Sequence, residues 1–186
     1  MSLFRKGLSP HQTALAMIGA KAGSAVLVLG AGDPALAAEV ALVTGLNGRT
    51  LVVDADAAAE ARIQAAAGRA GALVEFQRAP LMMLPFDTDL FDIVVVTGLT
   101  SAAPHDRATI VAEGLRVARP GGRILIVAPE RRPGVFGVLA TRQPVLTPEA
   151  ANSLLSFAGA RAVRHLASQQ GTAYYEGRKD LAASVT

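Results

Sequence analysis

Apolar residues in this chain come in two rhythms that alternate along its length: short unbroken runs, and longer stretches at helical spacing. The short runs predict strands over 25–30 (Val26-Leu27-Val28-Leu29), 49–54 (Leu51-Val52-Val53), 73–76 (Leu73-Val74-Glu75-Phe76), 91–96 (Phe91-Asp92-Ile93-Val94-Val95-Val96) and 123–128. The helical stretches fall between them. One runs from Ala35 to Leu46 and ends at Asn47-Gly48; another covers 57–69 and closes at Gly71. A third starts at Asp106 as its N-cap, reaches about 118 and is stopped by Pro120-Gly121-Gly122. Ahead of the first strand, Ser9-Pro10 opens a helix over 9–21, and 77–90 reads as irregular.

The last third is different in kind. Residues 129–146 hold three prolines and two glycines and predict a loop or short helix. Thr147-Pro148-Glu149 caps a helix to about 158. Ala160–Ser168 and Thr172–Lys179 then alternate around Gln169-Gln170-Gly171, as a β-hairpin does. Tyr174-Tyr175 in its second arm should place one ring inside and one outside. Strands alternating with helices predict βαβ units, a mostly parallel sheet with helices on both faces, and one domain over 1–186. Its parts are an N-terminal helix (1–22), nucleoside-binding βα units (25–128) and a helix plus hairpin (147–179).

Composition sharpens this picture at a few points. Hydrophobic residues make up 51% of the chain but aromatic ones only 4%, so the core must be aliphatic. The absence of cysteine excludes disulfides, thiolate metal sites and a cysteine nucleophile, fits a cytoplasmic protein, and leaves no metal cluster to expect. A net charge of +3 comes from scattered arginines interleaved with acids, without a basic face or stacking aromatics, so no nucleic-acid partner is expected. No run approaches the roughly 20 apolar residues that cross a bilayer, so no membrane insertion is expected. A homodimer is compatible with all of this.

The chemistry concentrates where the first two strands end. Val26–Leu29 empties into Gly30-Ala31-Gly32-Asp33, and the next strand ends on Asp54. Glycines at such a turn let a ligand approach bare backbone, and a carboxylate at the neighbouring strand end can accept from a ribose diol. The residues therefore point to a nucleoside-bearing cofactor. The bland alternatives are that the glycines only permit a tight turn, and that Asp54 competes with Asp56 to cap a helix. Met82-Met83 reads as packing, His105 as a solvated residue, and Arg131-Arg132 as a solvated loop.

From about residue 10 to 179 the chain resembles small class I S-adenosylmethionine-dependent methyltransferases, nearest those of ubiquinone and menaquinone biosynthesis. Four stretches carry the likeness: Val26–Gly32; Leu84-Pro85-Phe86 with Phe91–Val95; Leu115–Leu125 around Pro120-Gly121-Gly122; and Leu146-Thr147-Pro148-Glu149 leading to the hairpin. The resemblance implies a three-layer Rossmann-like α/β sandwich, a seven-stranded and mostly parallel sheet whose C-terminal hairpin inserts an antiparallel strand. It implies S-adenosylmethionine as cofactor and methyl transfer to a small-molecule acceptor. Gly30, Ala31 and Gly32 would lie under the methionine and ribose, and Asp54 would hold the ribose hydroxyls. Ala55 would flank the adenine, Pro80 and Leu81 would cover its edge, and Thr97 and Gly98 would line the donor pocket. Because a sulfonium is already an activated methyl donor, alignment is the protein's main task and no catalytic residue is named. The acceptor pocket would be built from the N-terminal helix and the 129–146 loop.

Two positions depart from the family pattern. The usual third glycine is Pro34, acceptable at a helix's first turn with Asp33 as its cap, and an aspartate expected near the adenine is Pro80. They motivate a second reading, a catalytically degenerate domain acting as a binding or regulatory module. A third, an NAD-dependent oxidoreductase, fits Gly30-Ala31-Gly32-Asp33-Pro34-Ala35 and Asp54. Against it, Asp33 adds negative charge and Pro34 removes a donor where a pyrophosphate would sit.

Overall fold

Seven strands pair in the order β3-β2-β1-β4-β5-β7-β6 in the computed structural model, which describes residues 11–130 and 145–181. The strands are β1 (Ala25–Leu29), β2 (Arg49–Asp54), β3 (Glu75–Arg78), β4 (Phe91–Val96), β5 (Ala118–Pro129), β6 (Arg161–Gln169) and β7 (Thr172–Arg178). All pairs from β3 to β5 are parallel, and β7 runs antiparallel to both β5 and β6. The hairpin thus slots β7 between β5 and β6, the mostly parallel sheet with an inserted antiparallel strand that the resemblance implied.

Helices cover both faces, which is why the central strands carry near-continuous apolar runs such as Val26–Leu29, Leu51–Val53 and Ile93–Val96. Leu27, Leu29, Leu51 and Val53 face α4 (Arg107–Val117) and α5 (Pro148–Phe157) through Ile110, Val111, Leu115 and Leu155. The alternate residues Val26, Val28 and Val52 face α1 (Gln12–Ile18), α2 (Pro34–Thr44) and α3 (Ala57–Ala70) through Ile18, Leu36, Val40 and Ile63. The same alternation overturns one expectation: Tyr174 and Tyr175 are both buried, at 5% and 1% exposure, because β7 is an interior strand with a packed layer on either side.

Boundaries moved where local signals were weak. β2 and β4 match the expected spans, whereas β3 begins two residues late, at Glu75, and runs into the stretch read as irregular. Being an edge strand with exposed Glu75, Gln77 and Arg78, it is placed by its ladder to β2 rather than by apolar pattern. The described part of the first helix is only Gln12–Ile18, ended by Gly19 in a left-handed conformation; Ser9 and Pro10 lie outside the described residues. α2 starts at Pro34 and stops at Gly45, before Asn47-Gly48. Asp106 occupies the N-cap position of α4 but its side chain makes no capping bond; it sits 3.2 Å from exposed His105 instead. β5 extends back through Pro120-Gly121-Gly122, whose turn appears as a register shift between Phe91↔Ala118 and Ile93↔Arg123. The predicted caps at Asp33, Asp56 and Thr147 all form.

The hairpin turns tightly at Gln170-Gly171, both with positive φ (56° and 81°), the geometry that matches strand twist in a two-residue loop. Glu176 on β7 is fully buried and receives hydrogen bonds from Arg123 of β5 and Arg164 of β6. Burial alone would raise its pKa, but the two guanidiniums outweigh burial and hold it below the ordinary carboxylate value. Arg123 also donates to the carbonyls of Ile18 (2.6 Å) and Met17 (3.0 Å), tying the end of α1 to the sheet. Substituting Arg123→Met should therefore cost about 3 kcal/mol, because Glu176 keeps its charge and loses its better-buried partner. Urea denaturation checks this, and the loss should shrink in acid as Glu176 becomes protonated.

Candidate active site

The carboxyl ends of β1, β2 and β4 meet in one hydrogen-bonded rim. The Gly30 N–H donates to Val53 O (2.8 Å), and the Thr97 N–H donates to Leu29 O (2.9 Å). The Thr97 hydroxyl donates to Gly30 O at 2.6 Å, and the Ala31 N–H donates to Asp54 Oδ2 at 2.6 Å. The second Asp54 oxygen accepts from the Asp56 N–H at 2.9 Å. Asp56 in turn caps α3 through Ala58, so the capping role belongs to Asp56 and Asp54 is left at the rim.

The glycines have a local reason to be glycine. Gly30 has φ +90°, and a Cβ there would stand 2.8 Å from Thr97 O. At Gly32 a Cβ would approach the Thr97 side chain to 3.1 Å. The end of β4 thus packs directly on the turn after β1, and Thr97 fills the space the absent side chains leave. Gly98 is exposed and begins the single 3₁₀ turn Leu99–Ser101.

The remaining expected site residues border this rim. Ala55 is exposed and its carbonyl accepts from Arg78 Nε at 3.3 Å. Pro80 and Leu81 follow Ala79, whose N–H donates to Asp54 O at 3.2 Å. Pro80 is exposed, while Leu81 packs on the core cluster that holds Leu29 and Leu84. Met82 and Met83 are 42% and 72% exposed, so the expectation that they pack inside is corrected: the turn that brings Pro80 to the rim carries them outward.

His11 is the residue that sequence reading passed over. Its Nε2 lies 2.7 Å from Asp33 Oδ2 and its Nδ1 2.8 Å from Glu39 Oε1. Burial lowers its pKa, but the hydrogen bonds to Glu39 and Asp33 more than offset that, and the net shift is upward from 6.5. Asp33 Oδ1 meanwhile accepts from the Ala35 (3.0 Å) and Leu36 (3.3 Å) N–H groups at the start of α2, with Pro34 in the first turn. Nothing in the local sequence signals a pairing across 22 and 28 positions.

Beside the rim, and sharing Thr97 with it, lies a cavity of about 330 Å³. α1 and α2 form one side, and the end of β5 and the hairpin turn form the other. Of the expected acceptor-pocket elements, the N-terminal helix is there and Pro129 represents the 129–146 loop; Arg131 and Arg132 lie outside the described residues. The hairpin turn was not anticipated. Thr13 Oγ1 donates to Gln169 Oε1 at 2.6 Å, linking α1 to β6 along the cavity's edge.

An open sheet with helices on both faces, a glycine turn after β1, an acid ending β2 and an antiparallel strand beside β5 define a nucleoside-binding α/β class. Residues 27–126 match the methyltransferase domain family, and the chain belongs to that family. Similar proteins include the ubiquinone/menaquinone biosynthesis C-methyltransferases of Hahella chejuensis (32% identity over 112 residues) and Pseudomonas putida (30% over 115). Each match covers 59% of this chain and only 44% and 43% of those proteins, so the matched stretch spans less than half their length. A SAM-dependent methyltransferase from Aquifex aeolicus superposes with TM-score 0.76 at 17% identity, covering 91% of this chain and 89% of that one. The [4+2]-cyclase SpnF does so with TM-score 0.70 at 15% identity, covering 91% and 79%, so the fold by itself does not dictate a reaction. Among the described residues, no helix is long and apolar enough to cross a membrane.

Gly30→Ala should destabilise the fold by about 2 kcal/mol or more in urea denaturation, through the positive φ and the collision with Thr97 O. The His11 tie gives a pH dependence of known sign. A raised pKa means stabilisation is fully present below 6.5 and is lost as pH rises through the folded-state value. The difference in melting temperature between the natural chain and His11→Gln should therefore be largest on the acid side and shrink on titrating upward.

Proposed function

We propose that this chain transfers a methyl group from S-adenosylmethionine to a small-molecule acceptor, within a single domain. The observation that carries the reading is Asp54, half-buried at the end of β2 and fixed by Ala31 and Asp56 N–H groups against the glycine turn. Each carboxylate oxygen retains a lone pair for a further donor, which suits a ribose diol.

The donor set at the rim also discriminates between cofactor types. Asp33 already occupies the Ala35 and Leu36 N–H groups at the start of α2 and puts a carboxylate where a pyrophosphate would need donors. That disfavours a dinucleotide and leaves a cationic sulfonium unopposed. The groups fit S-adenosylmethionine on these terms. Gly30, Ala31 and Gly32 would support its methionine and ribose, Asp54 its ribose hydroxyls, Ala55, Pro80 and Leu81 its adenine, and Thr97 and Gly98 the donor end. The cofactor supplies an activated methyl group; the protein's residues hold donor and acceptor in line.

S-adenosylhomocysteine should bind saturably in calorimetric titration. Asp54→Asn should weaken that binding by about tenfold or more, since a charge-assisted acceptor pair is lost. Asp56→Ala, which removes a helix cap and an exposed ion pair to Arg62 but keeps the N–H that donates to Asp54, should leave it within about twofold. No heat from a folded chain, or preference for NAD in competition, overturns the assignment.

A further inference from the structure

The crossover from β3 to β4 borders the donor rim with irregular backbone. Residues 79–90 form neither helix nor strand, so their N–H and carbonyl groups have no regular ladder to pair in. The stretch begins tied to β2, where the Ala79 N–H reaches Asp54 O, and a turn follows in which the Met83 N–H donates to Pro80 O at 3.2 Å. The far end of that turn is held by α4. Glu113 Oε2 accepts from the Leu84 N–H at 2.8 Å, and Arg116 donates to Leu84 O (3.2 Å) and Phe86 O (2.8 Å). Pro85 between them has no N–H to place. Arg116 Nε and Nη2 also donate to the two Glu113 oxygens, at 2.7 and 2.9 Å, and this pairing holds the Glu113 carboxyl below its ordinary pKa. One planar guanidinium thus meets a carboxylate and two carbonyls at once, a fork that an ammonium does not reproduce. Leu84 itself is buried, and Phe86 stands edge-on to Phe91 with ring centroids 5.7 Å apart.

We propose that Glu113 and Arg116 are positioning residues for the nucleobase end of the donor site: their clasp on Leu84 and Phe86 fixes the turn that presents Pro80 and Leu81 beside Asp54. The inference rests on the methyl-transfer reading, which supplies the ligand. The turn is secured at its two ends while its crest, Met82 and Met83, is exposed. Without the α4 end, Ala79 and the packing of Leu81 alone would hold it. A nucleoside would then have to order the turn as it binds, and that ordering is drawn from affinity.

The test titrates S-adenosylhomocysteine into each variant at a temperature where its melting curve shows it fully folded. Arg116→Met and Glu113→Gln should each weaken binding about fivefold or more. The double variant should fall within about twofold of the weaker single one, because the pair acts as a unit. Arg119→Met, three positions further along, releases an exposed ion pair with Asp92 and should leave binding within about twofold. Native-state hydrogen exchange gives a second readout: amides of 81–86 should exchange about tenfold or more faster in Arg116→Met, while those of β1 and β4 keep pace with global stability. A pair that only stabilises the fold would lower the melting temperature and leave both readouts of the folded chain unmoved. Glu113→Gln decides alone, by the same two readouts, if Arg116→Met does not fold. The inference is overturned if folded variants bind S-adenosylhomocysteine as the natural chain does, or if their 81–86 amides exchange unchanged. A folded natural chain that binds no S-adenosylhomocysteine removes the methyl-transfer reading and the positioning role with it; faster 81–86 exchange in the variants would then leave the clasp as a fastening of the crossover alone.

Discussion

The contact between Thr97 and Gly30 is the constraint from which the candidate site takes its shape. β4 ends so close to the turn after β1 that any side chain at residue 30 would strike the Thr97 carbonyl. The Thr97 hydroxyl then fixes the Gly30 carbonyl, which turns the next N–H, that of Ala31, onto Asp54. Two residues further, Asp33 begins α2 and meets His11. One close approach between neighbouring parallel strands thus sets the glycine turn, the carboxylate and the helix start in a single geometry. A ligand-facing role for the glycines and a packing role for them are compatible, since the side toward β4 is closed by Thr97 and Gly32 remains exposed.

α1 is held onto this arrangement from three directions. His11 joins it to α2, Thr13 joins it to β6, and Arg123 grips the carbonyls at its far end. A helix of seven residues would not persist in water by itself. Its place over the sheet comes from these polar ties together with burial of Ala14 and Ile18. The ties are of unequal character: Arg123 is anchored by a buried carboxylate, whereas the His11 imidazole is held by two more exposed ones that raise its pKa.

Much of the fold could be read from the chain because the central strands are buried on both faces and bounded by turn residues. β2 and β4 fall on their expected spans, and Asp33, Asp56 and Thr147 advertised their helices by residue type and position. Legibility failed where tertiary context overrides local pattern. β3 owes its span to pairing at an edge, and Tyr174 and Tyr175 look amphipathic until β7 is known to be interior. At the site, the glycines, Asp54 and Thr97 were visible because strand ends in such sheets converge. His11 and the hairpin turn were not, because a pairing between distant elements leaves no periodicity to detect. Asp106 shows the opposite failure, a residue type suited to capping whose backbone conformation does not present the side chain to the helix.

The position of β7 has a consequence for how the chain comes to be assembled. Translation delivers β7 after every other strand of the sheet, yet its place lies inside, between β5 and β6. Until it emerges from the ribosome, β5 offers a bare ladder of donors and acceptors, and Arg123 lacks its buried anion. The nascent sheet is therefore adhesive along one flank for as long as synthesis of the hairpin lasts. The same late strand supplies Glu176, which holds the guanidinium that clasps α1, a segment that precedes every strand of the sheet. Completion of the sheet and of the cavity wall formed by the hairpin turn are one event, which waits on the last strand of the sheet.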